Sequence, residues 1–229
     1  MNKALIQRRI GVYGGTFDPI HNGHIEVVRA VAHNFKLDQL LIIPAHRPPH
    51  KTSQAISDAY HRYSMAVLAS LDEPLALVST IEIEAPDKPF SFQTIERLKN
   101  LYGAGARLFF IMGADSFEEL NTWREPARLL ASTNLVVITR PGHEIEASRL
   151  PAGVTSSIMD TRGRAGDEVN LAEQACGGLE ACHIYLTDCV NKDISSTDIR
   201  QKVRDGKPID DLVPSRVAKY IKKYGLYRR

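Results

Sequence analysis

Gly14-Gly15-Thr16-Phe17-Asp18-Pro19-Ile20-His21-Asn22-Gly23-His24 interrupts a short β-prone run, Ile10 to Tyr13, and leads into a segment with helical spacing. That helix is expected to begin near Asn22, because Ile25, Val28, Ala32 and Phe35 recur three and four residues apart. A strand, a glycine turn and a helix in succession form the unit that opens a ligand crevice at the edge of a parallel sheet. Paired glycines let a backbone approach a phosphate without side-chain interference, and the N–H groups of the following helix can receive the anion. His21 and His24 are three apart, so within one helical turn they point to nearly the same side. Read as chemistry, two imidazoles and a helix N-terminus converge on one phosphoryl group. Two other readings stand beside it: a zinc pair, for which no third ligand is obvious at nearby spacing, and ordinary turn and cap residues. The chain has neither Gly-x-x-x-x-Gly-Lys-Ser/Thr nor Gly-x-Gly-x-x-Gly, which argues against a Walker loop and a dinucleotide dehydrogenase.

Working outward, the same strand-then-helix alternation repeats. Leu40 to Ile43 is a short unalternating strand ending at Pro44, and Asp58 to Leu71 is a helix through Tyr63, Ala66, Val67 and Leu71. Leu75 to Ile83 reads mostly as strand, and Ser91 to Tyr102 as helix stopped by Gly103. Leu108 to Met112 is strand, two short helices lie around Phe117 and from Pro126 to Leu130, and Leu135 to Thr139 is strand again. Strands apolar throughout suit burial on both faces. The expected fold is therefore α/β, a doubly wound, mainly parallel sheet of Rossmann type with helices on both faces. A barrel would require eight units, and the chain supplies five or six. Arg140 to Ala181 assigns poorly, with a strand near Val154 to Met159 and a helix near Asn170 to Ala175. His183 to Thr187 should be the last strand. Two helices follow: one capped by Ser195, with Asp198 three residues on as in a capping box, and one from Pro214 to Tyr224. We expect a core over residues 1–190 and a helical segment, 191–229, packed on it as one structural domain.

Composition excludes several classes. The 229 residues carry 29 Lys plus Arg against 27 Asp plus Glu, a balance that supports neither a nucleic-acid coat nor a polybasic membrane binder. Apolar runs are strand-sized, short of a membrane span, and the chain reads as cytoplasmic. Cys176, Cys182 and Cys189 have neither zinc-ribbon nor disulfide-scaffold spacing and read as small buried apolar residues.

Three further segments carry candidate chemistry. Pro44-Ala45-His46-Arg47-Pro48-Pro49-His50-Lys51 is a stiff basic loop at the end of the second strand, suited to an anion or simply solvated. Ile194-Ser195-Ser196-Thr197-Asp198-Ile199-Arg200 offers hydroxyls at a helix start with an arginine one turn in, an anion cradle or a plain N-cap. Two such helix starts suit a ligand with several phosphates. Gly113-Ala114-Asp115 ends the fourth strand, where Asp115 could take ribose hydroxyls. Trp123, the sole tryptophan, could stack on a planar ring or pack in the core.

With these segments in order, the chain resembles bacterial nicotinate-nucleotide adenylyltransferases, in the nucleotidyltransferase superfamily marked by a His-x-Gly-His turn. The resemblance runs nearly end to end and includes Ser91-Phe92-Gln93-Thr94 and Arg140-Pro141-Gly142. It implies adenylyl transfer from ATP to nicotinate mononucleotide, with Mg2+ carried on the ATP phosphates and no nucleic-acid or membrane partner, by a monomer or homo-oligomer. It implies that His21, His24, Lys51 and Arg200 are catalytic. It puts Gly15, Thr16, Phe17, Gly113, Asp115, Ser195, Ser196 and Thr197 beside them on ATP, and Lys51, Ser91, Thr94 and Trp123 on the mononucleotide. Phe92 stands where the family usually has tyrosine, so that hydroxyl is dispensable here. Residues 143–181 are longer and less regular than the family pattern. A related nicotinamide mononucleotide enzyme, phosphopantetheine adenylyltransferase and a non-catalytic nucleotide sensor are the rival readings.

Overall fold

Strict alternation along the central strands builds the two cores of the molecule. In the computed structural model, which describes residues 8–46, 56–87, 89–139, 157–164, 166–175, 182–190, 192 and 194–228, seven strands form one sheet. They are β1 (Arg8–Gly15), β2 (Gln39–Pro44), β3 (Ala76–Val78), β4 (Ala106–Gly113), β5 (Asn134–Ile138), β6 (Ser157–Asp160) and β7 (His183–Thr187). Their order is β3-β2-β1-β4-β5-β7-β6, and every pairing is parallel. Leu40, Ile42, Phe109, Ile111, Val136 and Tyr185 face one layer of helices. Their sequence neighbours Leu41, Ile43, Leu108, Phe110, Leu135, Val137 and Ile184 face the other. The period of two is the pleat itself.

The first layer holds α1 (Asn22–Asn34), α2 (Ala59–Ser70), α6 (Asp167–Ala175), α7 (Ser196–Arg204) and α8 (Ser215–Tyr224), through residues such as Ile25, Met65, Val169, Ile199 and Val217. The second holds α3 (Ser91–Tyr102), α4 (Ala114–Glu118) and α5 (Pro126–Leu130), through Phe92, Ile95, Phe117 and Leu129. The doubly wound parallel sheet expected from the alternation is the fold found. Strand order reverses between β1 and β4, so a crevice opens beyond their carboxyl ends, where Gly14, Gly15 and Gly113 lie.

Three local expectations need correction. Only Ala76 to Val78 of the stretch Leu75 to Ile83 is strand. It is an edge strand, and its partner β2 ends at Pro44, which has no N–H to continue a ladder. The buried face of α2 is Arg62, Met65, Ala66, Ala69 and Ser70, while Leu71 is 58% exposed. The apolar letters at Tyr63, Val67 and Leu71 pointed one position away, because the true face contains an arginine. Finally, Ser195 does cap α7, but its Oγ accepts from the Thr197 N–H at 3.2 Å, not from Asp198 as a capping box would have it.

Candidate active site

At the carboxyl end of β1 the chain makes its turn around one aromatic ring. Phe17 takes φ 51°, a left-handed conformation that costs ~1–3 kcal/mol outside glycine. Burial of the ring, only 2% exposed, offsets that cost. The ring meets Tyr13 at 5.4 Å and His24 at 5.1 Å, both edge to face. A Cβ on Gly15 would lie 2.8 Å from this ring, so Gly15 is first of all the vacancy that Phe17 fills.

His21 is the N-cap of α1 and His24 sits one turn on. Their rings stack with centroids 3.6 Å apart and planes 27° apart. The His21 backbone N–H donates to His24 Nδ1 at 3.2 Å, which leaves the proton of a neutral His24 on Nε2. Burial holds both imidazoles in the neutral form. It lowers the His21 pKa to about 4 and, with the neighbouring His21, carries His24 well below 6.5. His21 Nδ1 is buried and has no partner among the described residues. Beside them, burial raises the Tyr13 phenol above its ordinary value, so it too is neutral.

The helix start is less open than the sequence suggests. The Asn22 N–H already donates to Leu212 O at 2.9 Å and the His24 N–H to His21 O at 2.9 Å. An anion at this helix start would therefore meet chiefly side chains and the remaining amides.

A cavity of about 230 Å³ lies at the switch point. His21, His24, Gly113 and Asp115 share its lining with Tyr13, Thr139 and Lys192. Gly113 is exposed, and a Cβ there would meet nothing within 4 Å. Lys192 pairs with Glu26 at 3.0 Å. A wider groove of about 780 Å³ runs between α7 and α8, lined by Arg204, Lys207, Lys219 and Lys222, and contains none of these residues.

The α7 start is docked on the turn that follows β1. Ser196 Oγ donates to Pro19 O at 2.9 Å, and Arg200 Nη1 donates to Asp18 O at 2.7 Å. Arg200 Nη2 reaches Thr197 Oγ1 at 3.2 Å. The segment Ser195 to Arg200 is thus brought to Asp18 and Pro19, although the bonded pairs lie 177 and 182 residues apart in sequence. Asp18 is 3% exposed, and its carboxylate accepts from Tyr227 Oη at 2.6 Å and from the Ser57 N–H at 3.1 Å.

Ser91, Thr94 and Trp123 belong to elements of the second layer. Ser91 is the first residue of α3. Thr94 is 2% exposed and donates its hydroxyl proton to Glu82 Oε1 at 2.8 Å. Burial raises that carboxyl to about 7, against the lowering effect of the Thr94 bond and of Arg97. Trp123 is half-buried and meets Phe110 edge to face at 6.3 Å. Phe92 is buried, with the Arg128 guanidinium 4.8 Å from its ring centroid, a setting in which a hydroxyl has no part. Lys51 and Arg140-Pro141-Gly142 lie outside the described residues. So do Cys176 and most of 143–181. Cys182 and Cys189 are half-buried, more open than expected, and burial raises both thiols.

Tyr13, Asp18, Arg62, Lys192 and Tyr227 were not singled out as site residues. Arg62 alone had a readable signal, an arginine in register with Met65, Ala66 and Ala69 on one helix face. Asp18, Lys192 and Tyr227 depend on contacts over long sequence separations, and Tyr13 lies near the end of a strand that reads only as apolar.

Comparison with known proteins identifies the family. A cytidylyltransferase-like family model matches residues 12–202. A probable nicotinate-nucleotide adenylyltransferase of Thermoanaerobacter sp. (strain X514) is 39% identical over 96% of this chain and 95% of its own. One from Moorella thermoacetica is 35% identical over 100% of this chain and 95% of its own. The Plasmodium falciparum nicotinic acid mononucleotide adenylyltransferase complexed with NaAD superposes with a TM-score of 0.67 at 17% identity, covering 96% of this chain and 97% of that one, and so shares the fold.

Proposed function

We infer the chemistry of this site from one premise: the chain belongs to the nicotinate-nucleotide adenylyltransferases of the cytidylyltransferase-like family. It transfers the adenylyl group of ATP to nicotinate mononucleotide, giving nicotinate adenine dinucleotide and pyrophosphate in NAD biosynthesis. The observation that carries the reading is the stacked, neutral His21–His24 pair in a cavity shared with Gly113 and Asp115 at the β1/β4 switch point.

In this reading a phosphate oxygen of the mononucleotide attacks the α-phosphorus of ATP, and the bond from that phosphorus to pyrophosphate breaks. No enzyme group forms a covalent bond and no general base is required, because the nucleophile is already an anion. The protein aligns the partners and neutralises charge that develops on the α-phosphoryl oxygens. The Nε2–H of His24, a neutral donor, suits that task, and His21 Nδ1, which has no partner among the described residues, stands beside it. Arg200 and the hydroxyls of Ser195, Ser196 and Thr197 suit the triphosphate. Gly113 and Asp115 suit the ribose, since the open space above Gly113 admits a ligand without a clash. Lys51, Ser91, Thr94 and Trp123 remain our candidates for the mononucleotide side.

Among the described residues no three His, Cys, Asp or Glu converge. In this reading magnesium is carried on the phosphates of ATP. We also place the reaction in the cytoplasm and treat 191–229 as part of one domain with the core. The latter is supported by Ile199, Val217 and Ile221 in the same buried cluster as Phe109 and Ile111. No described helix is long and apolar enough to cross a membrane.

A pyrophosphate-release assay with ATP tests the function, with nicotinate and nicotinamide mononucleotides run in parallel. Release that prefers nicotinate mononucleotide supports the reading. Preference for the amide would reassign the substrate, and ATP binding without release would make the chain a nucleotide sensor.

A further inference from the structure

The least expected side chain in the first helical layer is Arg62, which is 1% exposed. Burying a guanidinium is expensive unless its donors are satisfied. Here its four hydrogen bonds among the described residues end on backbone carbonyls. Nε donates to Ser57 O at 3.1 Å, Nη1 to Thr16 O at 2.8 Å, and Nη2 to Ala45 O at 2.6 Å and His46 O at 3.0 Å. Burial lowers the Arg62 pKa while Asp18, Tyr227 and Asp58 raise it, and the Ser57 peptide links Arg62 to Asp18. Its carbonyl accepts from Arg62 and its N–H donates to Asp18 Oδ2.

Those four carbonyls are not scattered. Thr16 belongs to the turn after β1, next to Phe17 and the histidines. Ala45 and His46 follow β2, and Ser57 lies on the other sequence side of the stretch that contains Lys51. One planar fork therefore spans the turn given above to ATP and both flanks of the loop given above to the mononucleotide. Lysine could not reproduce it, since a single ammonium has three donors on one atom, whereas the guanidinium presents five over a rigid plane.

We propose that Arg62 is a positioning residue that fixes the ATP-side turn relative to Ala45, His46 and Ser57, the described residues on either side of the stretch given to the mononucleotide, and thereby keeps the two reacting phosphates in register. The proposal rests on the adenylyl-transfer reading for its kinetic consequence and on geometry alone for its structural one. Each substrate still meets its own loop when Arg62 is replaced, so the loss falls on kcat at saturation of both substrates more than on either KM.

Arg62→Lys and Arg62→Met test this by steady-state kinetics with each substrate varied, by thermal unfolding, and by backbone hydrogen exchange. The expected result is a folded protein whose kcat drops at least tenfold. Exchange should rise around residues 14–18, 45–46 and 57 and stay unchanged in β4, β5 and β7. A kcat within about threefold of wild type overturns the proposal, as does unaltered exchange at those loops. Failure of both variants to fold overturns it too, because Arg62 would then hold the fold and not the site. A wild-type protein that releases no pyrophosphate would sink the adenylyl-transfer reading, and the exchange measurement would still decide the placement of Arg62.

Discussion

Replacing Gly15 by alanine tests the construction of the phosphate turn directly. A Cβ there would stand 2.8, 3.0 and 3.1 Å from three atoms of the Phe17 ring. Comfortable carbon–carbon separation is ~3.5–4.0 Å, so the ring must move by roughly 0.7–1.2 Å. It cannot do so freely, because it is buried and packed edge to face on Tyr13 and His24. Overpacking of this kind costs ~1–3 kcal/mol of stability. The displacement passes to His24, and a misplacement of about 1 Å at reacting groups costs on the order of 10²-fold in rate. Gly14→Ala is the internal control, since its Cβ would meet the Phe110 ring at an ordinary 3.7 Å. Both glycines lie in β1 and neither has a positive φ, so alanine is conformationally allowed at each and only the crowding differs. The assay is pyrophosphate release beside denaturant unfolding of both variants. If Gly15→Ala matched Gly14→Ala in stability and in kcat/KM, the view of Gly15 as the space for Phe17 would be wrong.

Other expectations are more local. Arg200→Ala should weaken ATP binding about ten- to a hundredfold, the equivalent of ~1.5–3 kcal/mol for a charge-assisted contact; calorimetric titration showing unchanged affinity would confine Arg200 to its bonds with Asp18 and Thr197. Mononucleotide binding should alter Trp123 fluorescence, and Trp123→Ala should lose ~1–3 kcal/mol of that affinity, while Trp123→Phe keeps much of it. A half-buried tryptophan should cost less stability on truncation than the ~3–5 kcal/mol of a core ring, so a larger loss with normal affinity would make it a packing residue. His21 is neutral in the fold down to about 4, whereas an unfolded imidazole protonates near 6.5, so acid withdraws stability as pH falls through that window. The loss amounts to about 3 kcal/mol at its limit, and His21→Asn should flatten the urea-unfolding profile between pH 6.5 and 4. Glu82 has the opposite sign: its folded pKa of about 7 lies above the ordinary value of 4.5, so its burial costs stability as pH rises through that interval. Glu82→Gln should therefore raise Tm relative to wild type at pH 8 more than at pH 5, and an equal shift at both would contradict the buried-carboxyl account.

Sequence by itself determined the elements and their class. Runs such as Leu40 to Ile43 and Leu108 to Met112 are apolar throughout because both faces of a central parallel strand are covered, and each such run is followed by a helical period. The ordered turn Gly14 to His24, with Gly113 to Asp115 and Ser195 to Arg200, was legible as the candidate nucleotide side of the site from the same kind of signal. Each is a local signal at a strand end or helix start. Local signals failed where burial depends on what lies across the fold. The strand expected over Leu75 to Ile83 ends at Val78 because its only neighbour stops at Pro44. The face of α2 was misread because a buried arginine reads as polar until its acceptors, the carbonyls of Thr16, Ala45, His46 and Ser57, are seen to converge on it. The charge state of the histidine pair was likewise undetermined, since neutrality follows from desolvation by the packed turn and not from spacing. Tyr227 could not be linked to Asp18 across 209 residues, because no periodicity encodes a hydrogen bond that only the return of α8 to the sheet creates. Propensity and patterning act over a few residues, whereas the satisfaction of buried polar groups is settled only when distant segments share one interior.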